Sequence, residues 1–348
     1  MTGDPRASLL LSVDDLSVEF SVGGARLTAL EHVSFDLQQG EARGLVGESG
    51  SGKSLTLRAI LGLLPANARI TSGRMMFDGE DYDLTQYHDR SRRKRMERLR
   101  GTGIAMIFQE PSVALNPVIP VGEQIVDAVA RRDGMRKAEA RDYALHLMRL
   151  VGIHDAESKI GAYPFELSGG LKQRVMIAAA VAAKPRLILC DEPTTALDVT
   201  VQKQILSVFT HLRDELDAGL VYVTHDLAVV AQLCDSVTVL YSGKVMESSN
   251  DLRAAFDRPQ HPYTEALLRS TPDVDQIGRR LYSIPGSAPS LRDRTSGCPF
   301  APRCEYRQDD CVGGSIPDTS TVPGRVAHCL HKIGHSASGM VLEGESQR

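Results

Sequence analysis

The stretch Ala42-Arg43-Gly44-Leu45-Val46-Gly47-Glu48-Ser49-Gly50-Ser51-Gly52-Lys53-Ser54 decides the fold. Its first five residues read as a short buried strand, and Leu55 to Leu64 beyond it has a helix-forming composition. Between them lies G-x-x-x-x-G-K-S, in the strand-then-helix context that gives this pattern its meaning. Gly47, Gly50 and Gly52 let the N–H groups of the loop, those of Ser49 and Ser51 included, turn inward around phosphate oxygens. The helix that follows adds a favourable dipole. Lys53 is placed to reach β- and γ-phosphates, and the Ser54 hydroxyl to ligate Mg²⁺.

Working outward, Leu16 to Phe20, Ile104 to Phe108, Leu187 to Cys190 and Leu220 to Val223 read as further strands. The later ones are continuously apolar, as expected of strands buried on both faces. Helical patterns separate them over Gln124 to Arg132, Arg136 to Val151 and Val201 to Asp217. Interleaving of this kind predicts an α/β domain with a largely parallel sheet. Ligands in such sheets bind beyond the carboxyl ends of strands, where Asp191 and Glu192 fall. Asp191 is the natural partner of Mg²⁺, and Glu192 aims a second carboxylate at the γ-phosphate, where it can polarise a water.

Composition narrows the function. Lys plus Arg number 40 against 44 Asp plus Glu, a net charge of −4, which argues against a protein that coats nucleic acid. With 42% apolar residues the chain can bury a sizeable core, and 348 residues at about 150 per domain suggests about two domains. The longest uncharged apolar run, Val175 to Ala183, is about half a membrane span and rich in Ala, so it reads as a buried helix. Ala7 to Val13 is short for a signal peptide, so the chain is expected to remain in the cytoplasm. Arg90 to Arg100 is a sharp basic run, read as a solvated helix or as a surface for anionic head groups or an acidic partner.

Leu167-Ser168-Gly169-Gly170, followed by Lys172-Gln173-Arg174, resembles the signature motif of ATP-binding-cassette (ABC) ATPases. Leu171 stands where that family most often has Gln. The resemblance implies that Ser168, Gly169 and Gly170, with Leu167, grip the γ-phosphate of ATP bound to an opposite subunit. Gln109 resembles the glutamine that touches Mg²⁺ or water, and His225 the switch histidine at the γ-phosphate. Ala196-Leu197-Asp198 resembles the loop that crosses the dimer interface, and Phe20 the aromatic stacked on adenine. The implied fold is a P-loop NTPase ABC ATPase domain over residues 9–250, with a helical signature subdomain at about 112–182.

After Asp251 the texture changes: nine of the 17 prolines lie there, and a small loop-rich module is expected over 251–334, with a flexible tail over 335–348. Cys298, Cys304, Cys311 and Cys329 are separated by 5, 6 and 17 residues. Four soft thiolates suit an iron–sulfur cluster or tetrahedral zinc, though the spacing is neither a paired zinc-ribbon nor a ferredoxin run, and the thiols could also stay unligated. Cys190 and Cys234 read as buried small hydrophobes.

His261-Pro262-Tyr263-Thr264, Ile284-Pro285-Gly286 and Cys298-Pro299-Phe300-Ala301-Pro302-Arg303-Cys304 are similar to the tail of oligopeptide/dipeptide importer ATPases, as are Leu115-Asn116-Pro117 and Thr194 to Thr200. That resemblance implies a 4Fe–4S cluster on the four cysteines and peptide cargo, with nickel or another small solute as the alternative. It also implies peripheral attachment to the cytoplasmic face of the inner membrane. The expected partners are a second ABC ATPase subunit in a heterodimer, two transmembrane permease subunits and an extracytoplasmic substrate-binding protein, with no nucleic acid. Two competing readings are a soluble ABC ATPase of DNA repair or translation and a redox-responsive regulator.

Overall fold

Strands on which successive side chains face opposite ways organise this protein. A computed structural model describes residues 9–86, 89–133, 136–195, 197–271, 282–294, 296–320 and 322–331. The chain begins with β1 (Leu9–Val22), β2 (Ala25–Gln38) and β3 (Ala42–Val46), then α1 (Lys53–Ile60), β4 (Ala68–Phe77) and β5 (Glu80–Asp83). Next come α2 (Arg90–Leu99), β6 (Ile104–Ile107) and five helices: α3 (Pro111–Ala114), α4 (Val121–Asp133), α5 (Lys137–Leu150), α6 (Ala156–Lys159) and α7 (Gly169–Val181). The middle of the fold returns through β7 (Leu187–Asp191), α8 (Val199–Leu216), β8 (Gly219–Thr224), α9 (Leu227–Leu233), β9 (Ser236–Tyr241) and β10 (Lys244–Ser249). Last are α10 (Leu252–Asp257), α11 (Pro262–Ser270) and β11 (Arg325–Ala327).

The larger sheet has seven strands in the order β11-β10-β9-β3-β8-β7-β6. Strands β9, β3, β8, β7 and β6 are parallel, as their continuous apolar runs predict, whereas β10 and β11 join antiparallel. Alternate side chains divide into two cores: Leu189, Val221, Val223 and Leu240 face one, while Ile188, Cys190, Leu220 and Tyr222 face the other. The first core is shared with a four-stranded antiparallel sheet in the order β2-β1-β4-β5. The second lies under α4, α5, α7, α8 and α9. Helix α7 is buried nearly all round, which its Ala-rich run anticipates.

Two expectations are corrected. The strand read at Leu16 to Phe20 extends over Leu9–Val22 and belongs to a second, antiparallel sheet rather than to one parallel sheet. Irregular register at Val13/Leu16 and Leu16/Val18 interrupts its alternation, so only the central apolar run stands out. Residues after Asp251 open with two helices before the loops begin, because Asp251 and His261 each cap a helix start, with Pro262 at a first helical position. The residues after 270 also reach back to the main sheet, where β11 pairs with β10 and completes it. The tail assigned to 335–348 and residues 332–334 lie outside the described residues, as does Ala196 of the interface-loop motif.

The basic run forms α2, and much of its charge is met internally: Arg95 binds Glu80 at 2.8 Å and stacks over Tyr82, while Arg93 faces Glu97 and Arg100 donates to Leu61 O and Gly62 O. Cys190 and Cys234 are both buried in the core. Among the described residues, no helix is long and apolar enough to cross a membrane.

Candidate active site

Strand β3 delivers Gly47 to the carboxyl edge of the large sheet, and the chain then wraps back on itself. Gly47 has φ 150°, and a Cβ there would stand 2.1 Å from Leu240 O; Gly52 has φ 105°, and a Cβ there would meet Leu30 at 2.5 Å. Only glycine fits either position. Lys53 folds over the loop, and its Nζ donates to Gly47 O at 2.8 Å and Glu48 O at 2.9 Å. Burial pushes the Lys53 ammonium below its ordinary range, opposed by the attraction of Glu192, Asp191 and Glu48. The buried cation thus sits among carboxylates and carbonyls and is poised for a denser negative charge.

Neighbouring strands bring the acids. Asp191 ends β7 and is 2% exposed, and it accepts a 2.5 Å hydrogen bond from the Ser54 hydroxyl. Burial raises the Asp191 carboxyl above its usual range, partly offset by Ser54. The Ser54 hydroxyl and the Asp191 carboxylate offer oxygen donors that would suit Mg²⁺, with the hydroxyl turning its lone pair to the ion in place of this hydrogen bond. Glu192 follows with φ 45°, a costly conformation for a side-chain-bearing residue, held by its N–H to Val223 O at 3.1 Å. Its carboxylate lies 3.9 Å from Lys53 Nζ and 3.5 Å from His225 Nδ1, and it accepts from Thr195 Oγ1 at 3.0 Å. Lys53, Ser54, Asp191, Glu192 and His225 therefore converge from three adjacent parallel strands.

The remaining predicted residues lie on other elements. Gln109 is exposed just beyond β6, and Phe20 is half-buried near the end of β1, paired with Leu27 and Ala68. Ser168 caps α7, accepting from Leu171 N at 3.4 Å, and nothing lies within 4 Å of a Cβ built at Gly169, so this turn is open to a ligand. Leu171 packs against the helix-side core, which accounts for an apolar residue where Gln is usual. Asp198 caps α8 through Thr200 N and Val201 N, both at 3.0 Å.

At the far end of the chain, Cys298, Cys304, Cys311 and Cys329 line one cavity with His261, His328 and Tyr306. Burial pushes the Cys298 and Cys329 thiols up to about 11 and Cys304 upward as well, so each keeps its proton unless a metal displaces it. His261 Nδ1 accepts from Tyr263 N at 3.0 Å, which leaves Nε2–H facing Cys298 Sγ at 3.8 Å. A tighter convergence of ligand atoms is Asp310, Cys311 and His331, all within 4.8 Å of one another. The four thiols around one cavity are a soft donor set, but the ligand atoms that converge are those of Asp310, Cys311 and His331.

Two residues far along the chain bear on the phosphate loop. Tyr263 Oη accepts from Glu48 N at 2.8 Å, and Arg303 grips the Glu48 carboxylate with both terminal nitrogens at 2.5 and 3.0 Å. Both belong to motifs visible in the sequence, but the 215 and 255 residues that separate them from Glu48 hide the contact.

Comparison with known proteins agrees with this architecture. The ABC transporter family model matches residues 30–195, and the model for the oligopeptide/dipeptide transporter C-terminal region matches 249–311. The dipeptide transport ATP-binding protein DppD of Escherichia coli is 43% identical over 93% of this chain and 97% of its own length. The oligopeptide transport ATP-binding protein OppD of the same organism is 42% identical over 94% of this chain and 95% of its own. Among solved structures, the ATP-binding cassette MJ0796, a post-hydrolysis dimer with ADP and phosphate, aligns with a TM-score of 0.61 at 28% identity, covering 70% of this chain and 99% of that one. A P-loop cassette with this site and these relatives, followed by this C-terminal region, belongs to the ATP-binding subunits of ABC transporters, in the oligopeptide/dipeptide group.

Proposed function

We propose that this chain is the ATP-hydrolysing subunit of an importer for di- or oligopeptides. The observation that carries the reading is the convergence of Lys53, Ser54, Asp191 and Glu192 at the carboxyl ends of β3 and β7, in a chain whose relatives are named for dipeptide and oligopeptide transport. In this reading ATP lies along Gly47 to Ser54, with Phe20 against the base. Mg²⁺ on Ser54, Asp191 and Gln109 supplies charge neutralisation at the β- and γ-phosphates. Lys53 leaves the loop carbonyls for phosphate oxygens, Glu192 orients the attacking water and accepts its proton, and His225 steadies both.

Residues 9–250 act as the cassette, with 112–182 as the helical part bearing the signature. Leu167 to Gly170 complete the ATP site of a second cassette subunit, and Asp198 lies where the two meet. A heterodimer of this kind, docked peripherally on two permease subunits at the cytoplasmic face of the inner membrane, closes on ATP and reopens after hydrolysis. An extracytoplasmic binding protein supplies the peptide. Residues 251–334 form the accessory module, and Cys298, Cys304, Cys311 and Cys329 hold a 4Fe–4S cluster that contributes folding energy to a region with little core.

Reconstitution tests the reading. With its permease partners in vesicles, the chain should give ATP hydrolysis stimulated by a peptide-loaded binding protein; stimulation by a nickel-loaded one instead, or copurification with ribosomes or DNA and no permease, would refute the peptide reading. Iron and acid-labile sulfide in stoichiometric amounts support the cluster, and zinc alone replaces it.

A further inference from the structure

The phosphate loop is held from behind by residues of the C-terminal segment. Arg303 is 6% exposed at its side chain, and besides the two bonds to Glu48 it donates to Pro285 O at 2.7 Å and Tyr241 Oη at 3.1 Å. A fork of donors whose other partners are fixed allows its two bonds to Glu48 one geometry. Beneath it Tyr241, Tyr263 and Phe300 pack ring on ring, with centroids 4.6, 5.1 and 5.4 Å apart, so Tyr263 Oη is fixed as it accepts from Glu48 N. Glu48 O is in turn one of the two acceptors of Lys53 Nζ, and it also accepts from Ser51 N at 3.2 Å. One residue therefore ties the lysine and the loop to the far end of the chain.

We propose that Arg303 is a positioning residue for ATP binding: its two-pronged grip on Glu48 holds the phosphate loop in its binding shape when Lys53 leaves the loop carbonyls. Without the grip, Gly47, Gly50 and Gly52 give the loop other backbone conformations once the lysine has gone, and ATP binding must select against them. Arg303 touches no reacting atom, so the loss falls on affinity and KM for ATP rather than on kcat. This rests on the reading that Gly47 to Ser54 holds ATP.

The test measures Mg-ATP binding to the purified full chain by calorimetry, together with kcat and KM in the assembled transporter. Arg303→Met should raise the Kd about tenfold, the scale of a charged hydrogen-bonding pair, and Arg303→Lys, with one point of attachment, should fall between. Glu48→Gln, which leaves the C-terminal segment untouched, should weaken binding similarly and keeps the test open if the methionine variant does not fold. Because both act through one contact, the double variant should bind no worse than the weaker single one. Additive losses, a fall in kcat at unchanged KM, or wild-type Kd in both single variants would overturn the proposal. Lys53→Ala serves as the control: if it abolishes binding while Arg303→Met binds as the wild type does, positioning alone fails; if Lys53→Ala too binds normally, the loop is not the ATP site.

Discussion

The two ends of this molecule are built on different physics. In the cassette, strands such as Leu187–Asp191 and Gly219–Thr224 are buried at every position, and two apolar cores flank one sheet. Among the described residues of 282–331, by contrast, only Gly297, Pro299, Phe300, Ala301 and Ala327 are buried. That segment is held by polar clamps: Arg303 on Glu48, Arg294 on Thr28 O and Ala29 O, and Arg325 on Glu247. Apolar burial tolerates small shifts, whereas a fork of charged hydrogen bonds does not. The cassette thus carries the candidate site, and the Arg303 clamp ties the second region to its Gly47–Ser54 loop.

The largest effect expected is chemical. Glu192→Gln should keep ATP binding and slow hydrolysis by about 10²–10⁴-fold, the contribution of a positioned base; near-normal turnover in a phosphate-release assay would remove Glu192 from that role. Second, Leu189→Ala removes a fully buried side chain from the cassette core and should cost about 2–5 kcal/mol in denaturant unfolding. Third, Arg325→Met should destabilise by about 3 kcal/mol, because Glu247 is 0% exposed and loses its 2.6 Å counter-charge. The neighbouring Val326→Ala, at a half-buried site, should cost well under half as much; equal losses would erase the contrast between the two regions. Smallest is Tyr263→Phe, which removes the partner of Glu48 N and should cost about 0.5–1.5 kcal/mol, read as a lowered melting temperature in the presence of ATP.

Local patterns made the nucleotide end legible. Ala42–Val46 and Leu187–Asp191 fall where their apolar runs place them, because a strand buried on both faces leaves little choice of side chain. The lysine, hydroxyl and carboxylates at their ends follow from the same strands. The antiparallel sheet was not legible: β1 has four register irregularities against β2, which break its alternation, and most of β4 alternates buried with exposed in too mixed a composition to stand out. Nor was the clamp, since an arginine between two cysteines looks like any surface arginine until folding brings it 255 residues back to Glu48.

Strand β11 is only three residues long, yet it covers the N–H and C=O groups along Glu247, Ser248 and Ser249 at the border of the seven-stranded sheet. A row of unpaired backbone groups at such a border invites another chain to pair with it, and a very short final strand is one way proteins close it off. Cutting the chain after Cys311, where the match to the C-terminal region stops, would therefore bare β10 and also strand the Glu247 charge. Such a fragment would keep Gly47 to Ser54, Asp191 and Glu192 and still present an open strand border, so a three-residue strand far from the phosphate loop closes the edge of the sheet on which that loop stands.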